Sequence, residues 1–267
     1  MKTMDETYPV ALVTGGAGAI GQAIAEGLLK KGFAVTVVVR SDSQGKRVVS
    51  ALETNASAPI SYKTCDLSVH RDILALADSW SGPLHVLVNN AATCPRQRTL
   101  NAEGIEMQFA TNVLAYFRMM NAFADVLTQS APARIVNVAS YWAGGLRLDD
   151  LEFTKRPYDN DSVYRQSKQA DRMLSRAFAM HFDAHGITVN ACHPGDVRSK
   201  VSRDLGFGGH ESPAQGAATP LYLATSSDVA RTSGAYFAHQ RQERCQFSED
   251  MAQVMELYAV CGRYDRK

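Results

Sequence analysis

The stretch that decides the fold is VALVTGGAGAIGQAIAEGLLKKG, residues 10–32. A short apolar run leads into a cluster of glycines, and a pattern typical of an amphipathic helix follows. A turn of this kind brings the free N–H groups of a helix N-terminus to the end of a strand, and glycines let a pyrophosphate approach them closely. A tight turn between strand and helix needs glycine in any case, but this context predicts a dinucleotide-binding turn. Its residues are Thr14, Gly15, Gly18, Ala19, Ile20 and Gly21.

Short apolar runs alternate with helical patterns along the rest of the chain. The predicted strands are 10–14, 34–39, 60–65, 85–89, 134–140, 187–192 and 234–237. The predicted helices lie near 19–31, 43–54, 69–79, 104–129, 162–185 and 213–225. The strands are rich in Val and Ile without polar alternation, which is typical of a sheet covered on both faces. The alternation predicts one α/β domain over 1–267, a doubly wound Rossmann-type fold with a parallel sheet of about seven strands and helices on both faces.

The composition excludes several classes of protein. A formal net charge of +1 over 267 residues gives no basic field that would attract nucleic acid or an anionic membrane. No apolar run approaches the roughly 18–20 residues that span a bilayer, and the N-terminal MKTMDETYPV lacks the apolar region of a secretory signal. Five scattered cysteines without a CxxC pair argue against a disulfide framework or a zinc site. We therefore expect a soluble, cytoplasmic protein with no metal site.

The end of the second predicted strand bears on the choice of dinucleotide. NAD-binding chains carry an acid there, about 20 residues after the glycine turn, for the ribose hydroxyls. Here the strand ends at Arg40, and Asp42 lies two residues beyond it. A guanidinium holds a 2′-phosphate in bidentate fashion, so the charge favours NADP(H) over NAD(H). The alternative is an ordinary solvated arginine at a strand end.

A second motif, SVYRQSKQA at 162–170, sets Tyr164 four residues before Lys168. Residues four apart share one face of a helix. A free tyrosine has a pKa of about 10, which is too high for efficient proton transfer at neutral pH. A neighbouring ammonium stabilises the phenolate, so we expect Lys168 to lower the pKa of Tyr164 and make it a usable acid. The alternative is an amphipathic helix with a solvated lysine and a tyrosine at its edge.

Further motifs follow in order along the chain. They are CDLS (65–68), VNNAA (88–92), FATNVLAYF (109–117), VNVAS (136–140) and HPGDVRS (193–199). Together with TGGAGAIG (14–21) and YRQSK (164–168), they resemble the short-chain dehydrogenase/reductase family over the chain from about residue 9 to its end. Within that family, QGAATPLYLATSSDVARTSGAYF (215–237) is similar to the branch of retinol dehydrogenases and WW-domain oxidoreductases.

The resemblance implies roles for the matching residues. Tyr164 would exchange a proton with the substrate, Ser140 would hold the substrate oxygen, and Lys168 would also bind the nicotinamide ribose. Asn112 would support a chain of water molecules to that lysine. The remaining cofactor contacts would come from Asp66, Leu67, Asn90, Ala91, Pro194, Gly195, Val197 and Ser199. Each also has a simpler interpretation: Asp66, for example, is a candidate N-cap, and Pro194–Gly195 a plain turn.

The chain departs from the family pattern at two of these positions. Ala19 stands where the family's turn has its middle glycine, which adds a methyl group at the point where the backbone meets phosphate. Ser199 stands where the family's segment ends in threonine. Serine keeps the hydroxyl, so we expect its contact with the carboxamide or the phosphates to survive.

The substrate pocket is expected beyond the carboxyl ends of the strands. Its walls would come from three segments, 93–100, 141–160 and 196–215, and parts of the last two are glycine-rich enough to be candidate mobile loops. The candidate apolar lining is Tyr141, Trp142, Leu146, Phe153, Tyr158, Leu205 and Phe207. Such a pocket suits a lipophilic or aromatic aldehyde or ketone, whereas Arg147, Arg198 and Lys200 leave open recognition of an anionic group.

The motifs together predict an NADP(H)-dependent oxidoreductase that reduces a small-molecule carbonyl to an alcohol, or catalyses the reverse. Two alternatives stay open, an NAD-dependent alcohol dehydrogenase and a cofactor-sensing protein without turnover. The helices at 104–129 and 162–185 are the usual dimer faces of the family that the chain resembles, so a homodimer is one expectation, and a monomer, which also occurs in this branch, stays open.

Overall fold

Parallel strands joined by helices form one sheet in the computed structural model, which describes residues 8–54 and 56–265. The strands are β1 Val10–Thr14, β2 Ala34–Val39, β3 Ile60–Thr64, β4 Val86–Asn89, β5 Ala133–Val138, β6 Ile187–His193, β7 Tyr236–Ala238 and β8 Arg241–Glu243. Their order is β3-β2-β1-β4-β5-β6-β7-β8. The first seven run parallel, with Val10 opposite Ala34 and Ala11 opposite Val86. The predicted doubly wound α/β fold is confirmed.

Helices cover both faces of the sheet. They are α1 Ala19–Lys30, α2 Asp42–Glu53, α3 His70–Asp78, α4 Ala115–Ala122, α5 Ala124–Gln129, α6 Asn160–His181, α7 Lys200–Asp204, α8 Pro213–Thr225 and α9 Met251–Tyr264. A π-helical segment, Phe109–Leu114, leads directly into α4.

The two hydrophobic cores meet at the central strand β1, all of whose residues are buried. Leu12 packs in the core formed with α3, α4, α6 and α9, whereas Ala11 and Val13 pack in the core formed with α1, α2 and α8. Successive side chains of a strand point to opposite faces, so a strand covered on both sides buries apolar side chains in both directions. This double burial explains the unbroken apolar run at 10–13.

The long helix predicted at 104–129 begins later and is interrupted. Leu100 and Glu106 form an isolated antiparallel bridge, so the chain before the helix is extended. The buried Glu106 carboxylate then accepts hydrogen bonds from the backbone N–H groups of Gln108 (2.9 Å) and Phe109 (2.7 Å). Those bonds satisfy N–H groups that have no partner within a helix and therefore fix its start. A second break at Phe123 separates α4 from α5.

Two C-terminal elements were not predicted. The strand β8 pairs antiparallel with β7 and makes the sheet eight-stranded rather than about seven-stranded. Its sequence, RQE, is fully exposed and carries no apolar pattern that would signal a strand. The helix α9 buries Val254, Leu257, Val260 and Cys261, which follow helical spacing.

The helix α9 packs across α4 and α6. The ring of Tyr258 lies 5.2 Å from the rings of both Phe117 and Phe178. Arg118 of α4 is buried and forms ion pairs with Asp265 (2.8 Å) beyond α9 and with Glu103 (3.2 Å). The faces of α4 and α6 that carry Phe117 and Phe178 are consequently covered within the chain. Along α6, which is described in full, the exposed residues are the last two.

Two predictions from the composition, the lack of a membrane-spanning helix and of disulfides, can be compared with the described residues. No helix within 8–54 and 56–265 combines the length and apolar character needed to cross a membrane. All five cysteines are buried and unpaired. Residues 1–7, which entered the argument about a secretory signal, lie outside the described part.

The packing of α9 predicts a large loss of stability when its core contact is removed. Leu257 is fully buried, so we expect Leu257→Ala to lower the free energy of unfolding by about 2–5 kcal/mol, from lost burial and the cavity that remains. Met255, two residues earlier, is 45% exposed, and Met255→Ala should change it by about 0.5 kcal/mol or less. Urea unfolding of both variants measures the difference. Equal effects would contradict the docking of α9.

Candidate active site

A cavity of about 950 Å³ lies at the carboxyl ends of the central strands. It spans the point between β1 and β4 where the strand order reverses, which is where open α/β sheets bind ligands. Most residues predicted for the site line it. They are Gly15, Gly18, Ala19, Ile20, Gly21, Arg40, Asp66, Leu67, Asn90, Ala91, Ser140, Tyr164, Lys168, Pro194, Gly195, Val197 and Ser199. Thr14 and Asn112 were also predicted, and they lie behind the wall rather than in it.

Thr14 joins the ends of β1 and β4. Its hydroxyl oxygen accepts hydrogen bonds from the backbone N–H groups of Asn90 (2.8 Å) and Ala91 (3.1 Å). In return the Asn90 side chain donates to the Thr14 carbonyl at 2.8 Å. Thr14 is buried, so its contribution is to hold the turn against the loop after β4 rather than to touch a ligand.

The glycines at the two ends of the turn are required by close packing. Gly15 has a φ of +66°, and a Cβ there would lie 2.8 Å from the Cα of Ala91. A Cβ on Gly21 would lie 2.4 Å from the Gly15 carbonyl oxygen and 2.7 Å from the Asn90 side-chain nitrogen. Any side chain at either position would push the helix away from the strand end.

The residues of the turn fit a dinucleotide pyrophosphate. Gly18 is the N-cap of α1 and makes no side-chain capping bond, so the first N–H groups of the helix face the cavity without a side-chain partner. A Cβ on Gly18 would meet nothing closer than the Gly15 carbonyl oxygen at 3.2 Å, so the cavity side of the turn is open. Donors at a helix N-terminus favour phosphate oxygens.

The two charged side chains just after β2, Arg40 and Asp42, differ in whether they have bonding partners. Asp42 forms an ion pair with Lys46 (2.7 Å) and accepts a hydrogen bond from the Tyr62 hydroxyl (2.5 Å). These two contacts lower the pKa of Asp42. Arg40 is exposed at the cavity and belongs to none of the ion pairs within the described ranges. The free charge at this end of the cavity is therefore a guanidinium, and the nearby carboxylate already has a cationic partner.

Ser140, Tyr164 and Lys168 come together in one wall of the cavity. The Ser140 hydroxyl lies close enough to the Tyr164 phenol to lower its pKa, and it accepts the N–H of Trp142 at 3.0 Å. The Lys168 ammonium lies 5.8 Å from the centre of the Tyr164 ring. Spacing on α6 and the end of β5 thus bring the hydroxyl, the phenol and the ammonium to one place.

The predicted lowering of the Tyr164 pKa is wrong. Burial raises the pKa of Tyr164 well above its ordinary value, and the neighbouring Ser140 hydroxyl lowers it in part. The negative charge of Asp171 raises it further. Lys168 does not offset this rise, because its ammonium donates to the Val138 carbonyl (3.0 Å) and to Asp171 (2.8 Å) instead. The phenol is therefore protonated at neutral pH.

Asn112 lies in the π-helical segment and is fully buried. Its side-chain oxygen accepts the N–H of Thr93 at 2.8 Å, and its nitrogen donates to the Thr93 carbonyl (3.0 Å) and the Ser167 hydroxyl (3.2 Å). The amide is thus engaged by Thr93, a cavity-lining residue, and not by Lys168. It holds the loop after β4 against α6.

Two predicted cofactor contacts also have local structural roles. Ser199 is the N-cap of α7, where its hydroxyl accepts the N–H of Ser202 at 3.1 Å in a capping box. Asp66 accepts hydrogen bonds from the backbone N–H (3.0 Å) and hydroxyl (2.7 Å) of Ser68. The N-cap of α3 is Val69, so the alternative interpretation of Asp66 as that cap is wrong.

Parts of all three segments predicted to form the substrate walls line the cavity, and their role toward a substrate stays a prediction. Thr93 lines the cavity from the first segment and Tyr141 and Trp142 from the second. The third segment contributes residues 196–205 and Phe207. Three candidates of the apolar lining do not face the cavity: Leu146 packs against the α4–α6 core, Phe153 is buried, and the Tyr158 hydroxyl donates to the Pro95 carbonyl at 3.1 Å.

The segment after Trp142 is held away from the cavity by a buried carboxylate. Asp150 accepts hydrogen bonds from the N–H groups of Thr154 (2.7 Å) and Lys155 (3.1 Å) and forms an ion pair with Arg156 (3.2 Å). These bonds close the chain on itself between 150 and 156, so Leu151 and Phe153 pack inward instead of lining the cavity.

Sequence reasoning missed three residues that the structure brings to the site. Arg172 is buried, donates from Nε to the Ser140 carbonyl at 3.1 Å and lies 3.6 Å over the Tyr236 ring. Asp171 pairs with Lys168 at 2.8 Å. The spacing Tyr164, Lys168, Arg172 continues one helical face, so the signal for Arg172 was present.

His193 is the third missed residue, and it lines the cavity beside Tyr141, with ring centres 4.6 Å apart. Burial, reinforced by His239 and Arg172, lowers the pKa of His193 to about 4. The imidazole is therefore neutral at pH 7.

Comparison with known proteins decides the family. The family model described as short chain dehydrogenase matches residues 9–206. The chain is a short-chain dehydrogenase. The resemblance drawn from the motifs is confirmed, including the retinol dehydrogenase branch.

Two relatives illustrate the place of this short-chain dehydrogenase in its family. A "probable oxidoreductase" of Streptomyces antibioticus is 34% identical, over 96% of this chain and 94% of the relative. Mouse retinol dehydrogenase 12 is 31% identical, over 86% of this chain and 77% of the relative.

Two solved structures share the fold of this short-chain dehydrogenase. An uncharacterized protein from Mycobacterium paratuberculosis has a TM-score of 0.82 at 23% identity, over 97% of this chain and 94% of that one. A short chain dehydrogenase from Burkholderia cenocepacia, solved in complex with NADP, has a TM-score of 0.70 at 23% identity, over 88% of this chain and 97% of that one.

The packing of the glycine turn predicts that Gly21→Ala weakens cofactor binding. The added methyl would meet the Gly15 carbonyl and the Asn90 amide, so the turn must open. We expect the Kd for NADPH, measured by fluorescence titration, to rise about tenfold or more, which corresponds to about 1.4 kcal/mol. Gly262→Ala is the control, since the nearest atom to its Cβ would be 3.8 Å away in Phe117. An unchanged Kd for Gly21→Ala would show that the turn does not hold the cofactor.

Proposed function

We propose that this short-chain dehydrogenase is an NADP(H)-dependent oxidoreductase that reduces an aldehyde or ketone to an alcohol, or catalyses the reverse. The observation that carries the proposal is the position of the Tyr164 phenol. It lies beside Ser140 in the wall of the same cavity that the glycine turn lines. A relative described as an oxidoreductase supports the reaction class.

The chemistry requires a hydride at carbon and a proton at oxygen. The nicotinamide, when bound, supplies or accepts the hydride. Ser140 donates a hydrogen bond that orients the carbonyl oxygen, and Tyr164 gives that oxygen its proton. The Tyr164 phenol carries the proton that reduction needs at neutral pH. Because burial raises its pKa, it gives up that proton less readily than a free tyrosine, and the reaction depends on groups that stabilise the phenolate. Asn112 keeps Thr93 in the cavity wall, and Arg172 fixes the backbone of Ser140.

The preference for NADP(H) rests on the charges beside β2. Arg40 is free of a carboxylate partner among the described residues, whereas Asp42 is held by Lys46 and Tyr62. A guanidinium favours a 2′-phosphate, and an engaged carboxylate is a poor acceptor for ribose hydroxyls. The NADP complex of the Burkholderia cenocepacia short chain dehydrogenase supports the same cofactor.

Removing the Arg40 guanidinium should reduce the preference for NADPH. We expect Arg40→Ala to lower kcat/KM for NADPH about tenfold or more relative to NADH, since a charge-assisted bidentate contact contributes about 1.5–3 kcal/mol. Arg47→Ala is the matched control, because Arg47 is exposed on α2, the helix that follows Arg40, and does not line the cavity. If the unaltered protein is more active with NADH than with NADPH, the result would instead support the NAD-dependent alternative.

The mouth of the cavity suits a lipophilic or aromatic carbonyl compound. Tyr141 and Phe207 are exposed there, and Leu205 is half-buried. The Trp142 indole is held in place because its N–H donates to Asp161 at 2.6 Å and the Arg165 guanidinium lies 5.1 Å over its ring. A screen of NADPH oxidation over aldehydes and ketones grouped by size and polarity measures the substrate class.

Replacing the phenol tests the reaction class. We expect Tyr164→Phe to lose turnover by about a hundredfold or more, since it removes the proton donor, while the Kd for NADPH stays within about twofold. Tyr222→Phe is the control, because Tyr222 packs against Phe237 away from the cavity. Retained turnover in Tyr164→Phe would refute the assignment. Nucleotide binding without turnover of any carbonyl by the parent would favour the cofactor-sensing alternative.

The helix faces that the family resemblance assigns to a dimer are covered in this chain. Tyr258 of α9 lies on Phe117 and Phe178, and α6 is buried along nearly its whole length. A homodimer stays a prediction. We propose that its interface, where one forms, lies outside the covered faces of α4 and α6. The cytoplasmic location also stays a prediction.

A further inference from the structure

A buried carboxylate lies next to the proposed proton donor. Asp171 is fully buried on α6, and one of its oxygens accepts a hydrogen bond from the Lys168 ammonium at 2.8 Å. Its other oxygen, Oδ1, is buried and has no hydrogen-bond partner in the described part of the chain. The site therefore contains an acceptor that nothing in the proposed reaction has used.

The groups around Asp171 define its electrostatic surroundings. The titratable groups that face it or its partner Lys168 are Tyr164 of α6, Tyr116 of α4, Cys261 of α9 and Cys192 of β6. Burial raises the pKa of each of these four groups, so they are neutral at pH 7. The neighbouring Arg172 guanidinium is directed to the Ser140 carbonyl and the Tyr236 ring. The charge that faces Asp171 is thus the Lys168 ammonium.

We propose that Asp171 is a positioning residue that sets the proton affinity of Tyr164 through Lys168. This inference rests on the proposed oxidoreductase function. Lys168 is held from two sides, by Asp171 and by the Val138 carbonyl at the end of β5. An ionised Asp171 offsets the positive charge that the Tyr164 phenol would otherwise feel. A neutral Asp171 leaves that charge available to stabilise the phenolate.

Charge balance in the buried site gives the same result. With Tyr164 neutral, Lys168 positive and Asp171 negative, the three side chains have no net charge. When Tyr164 passes its proton to the substrate oxygen, the O–H bond of the phenol breaks, an O–H bond forms on the product, and the three side chains become negative by one. An uncompensated buried charge is costly. While the oxidised nicotinamide is bound, its positive charge would balance that negative charge. Once it has left, a proton bound by Oδ1 of Asp171 would restore neutrality.

The burial of Asp171 favours this uptake. Removal from water raises the pKa of the Asp171 carboxyl far above its ordinary value, although the charge and hydrogen bond of Lys168 lower it in part. Its unpaired Oδ1 has an open lone pair for the proton. The carboxyl can therefore change its ionisation when the charge of its neighbours changes.

The test is the pH dependence of alcohol oxidation by NADP⁺, with the alcohol of the most active carbonyl in the screen. Oxidation needs Tyr164 as a base, so its rate rises as the phenol loses its proton. Asp171→Asn removes the offsetting charge, and we expect this rising limb to move to lower pH by about 1 unit. At a pH below the limb the variant would then be about tenfold faster than the parent.

Two variants separate charge from packing. Asp171→Glu keeps the negative charge while disturbing the packing more than asparagine does, so its limb should stay near that of the parent. Ser175→Ala removes the hydroxyl that donates to the Asp171 backbone carbonyl at 2.7 Å, without changing a charge, and should also leave the limb in place. A limb that stays unmoved in Asp171→Asn, or that moves equally in all three variants, would overturn the inference.

A second measurement does not depend on turnover. In protein labelled with ¹³C at the aspartate carboxyls, NMR titration should show one carboxyl that titrates well above the others and is missing in Asp171→Asn. In Lys168→Met, which retains Asp171, this carboxyl should titrate at still higher pH, and that comparison remains available if Asp171→Asn fails to fold. An Asp171 that titrates with the other aspartates would overturn the inference. An unaltered protein that turns over no carbonyl, with Asp171 still titrating above the other aspartates, would overturn the proposed function alone.

Discussion

Burial of charge on α6 is the constraint on which the candidate site depends. The helix runs through the interior and carries Lys168, Asp171 and Arg172, all of them buried. Charged groups removed from water must find partners, because an unpaired buried charge costs several kcal/mol or more. Two of the partners are main-chain carbonyls at the end of β5, Val138 for Lys168 and Ser140 for Arg172. The same bonds that compensate the charges therefore fix the helix against the strand, and with it the distance between phenol and hydroxyl.

Much of the fold could be predicted because its strands are buried on both faces. The apolar runs of β1, β2 and β4 have no polar alternation, and a glycine-rich turn follows the first of them. Parallel strands meet at their carboxyl ends, so motifs that are far apart in sequence had to converge there. The interrupted helix before α4 was beyond such reasoning, because its start is set by a tertiary contact, the buried Glu106 carboxylate under two N–H groups.

Which residues gather at the site could be predicted better than the pKa values of those residues. The motifs identified Ser140, Tyr164 and Lys168, but the direction of the tyrosine pKa depends on burial and on which neighbour receives the lysine, and neither is visible in a one-dimensional pattern. Aromatic residues after Trp142 were taken as pocket lining since sequence does not reveal which way a loop folds. The buried Asp150 turns that loop inward, so Phe153 is buried beside Tyr158 and Arg156 instead.

The small strand β8 has a consequence for how the chain behaves in concentrated solution. Without it, β7 would present the unpaired backbone of an apolar strand, Tyr236–Ala238, to its surroundings. An open, apolar sheet border is a template on which a foreign strand can add, and such addition leads to aggregation. The hairpin replaces that border with three exposed residues, two of them oppositely charged, in a segment too short to hold an incoming chain. At the β8 edge, the chain itself thus hinders the addition of strands from other molecules.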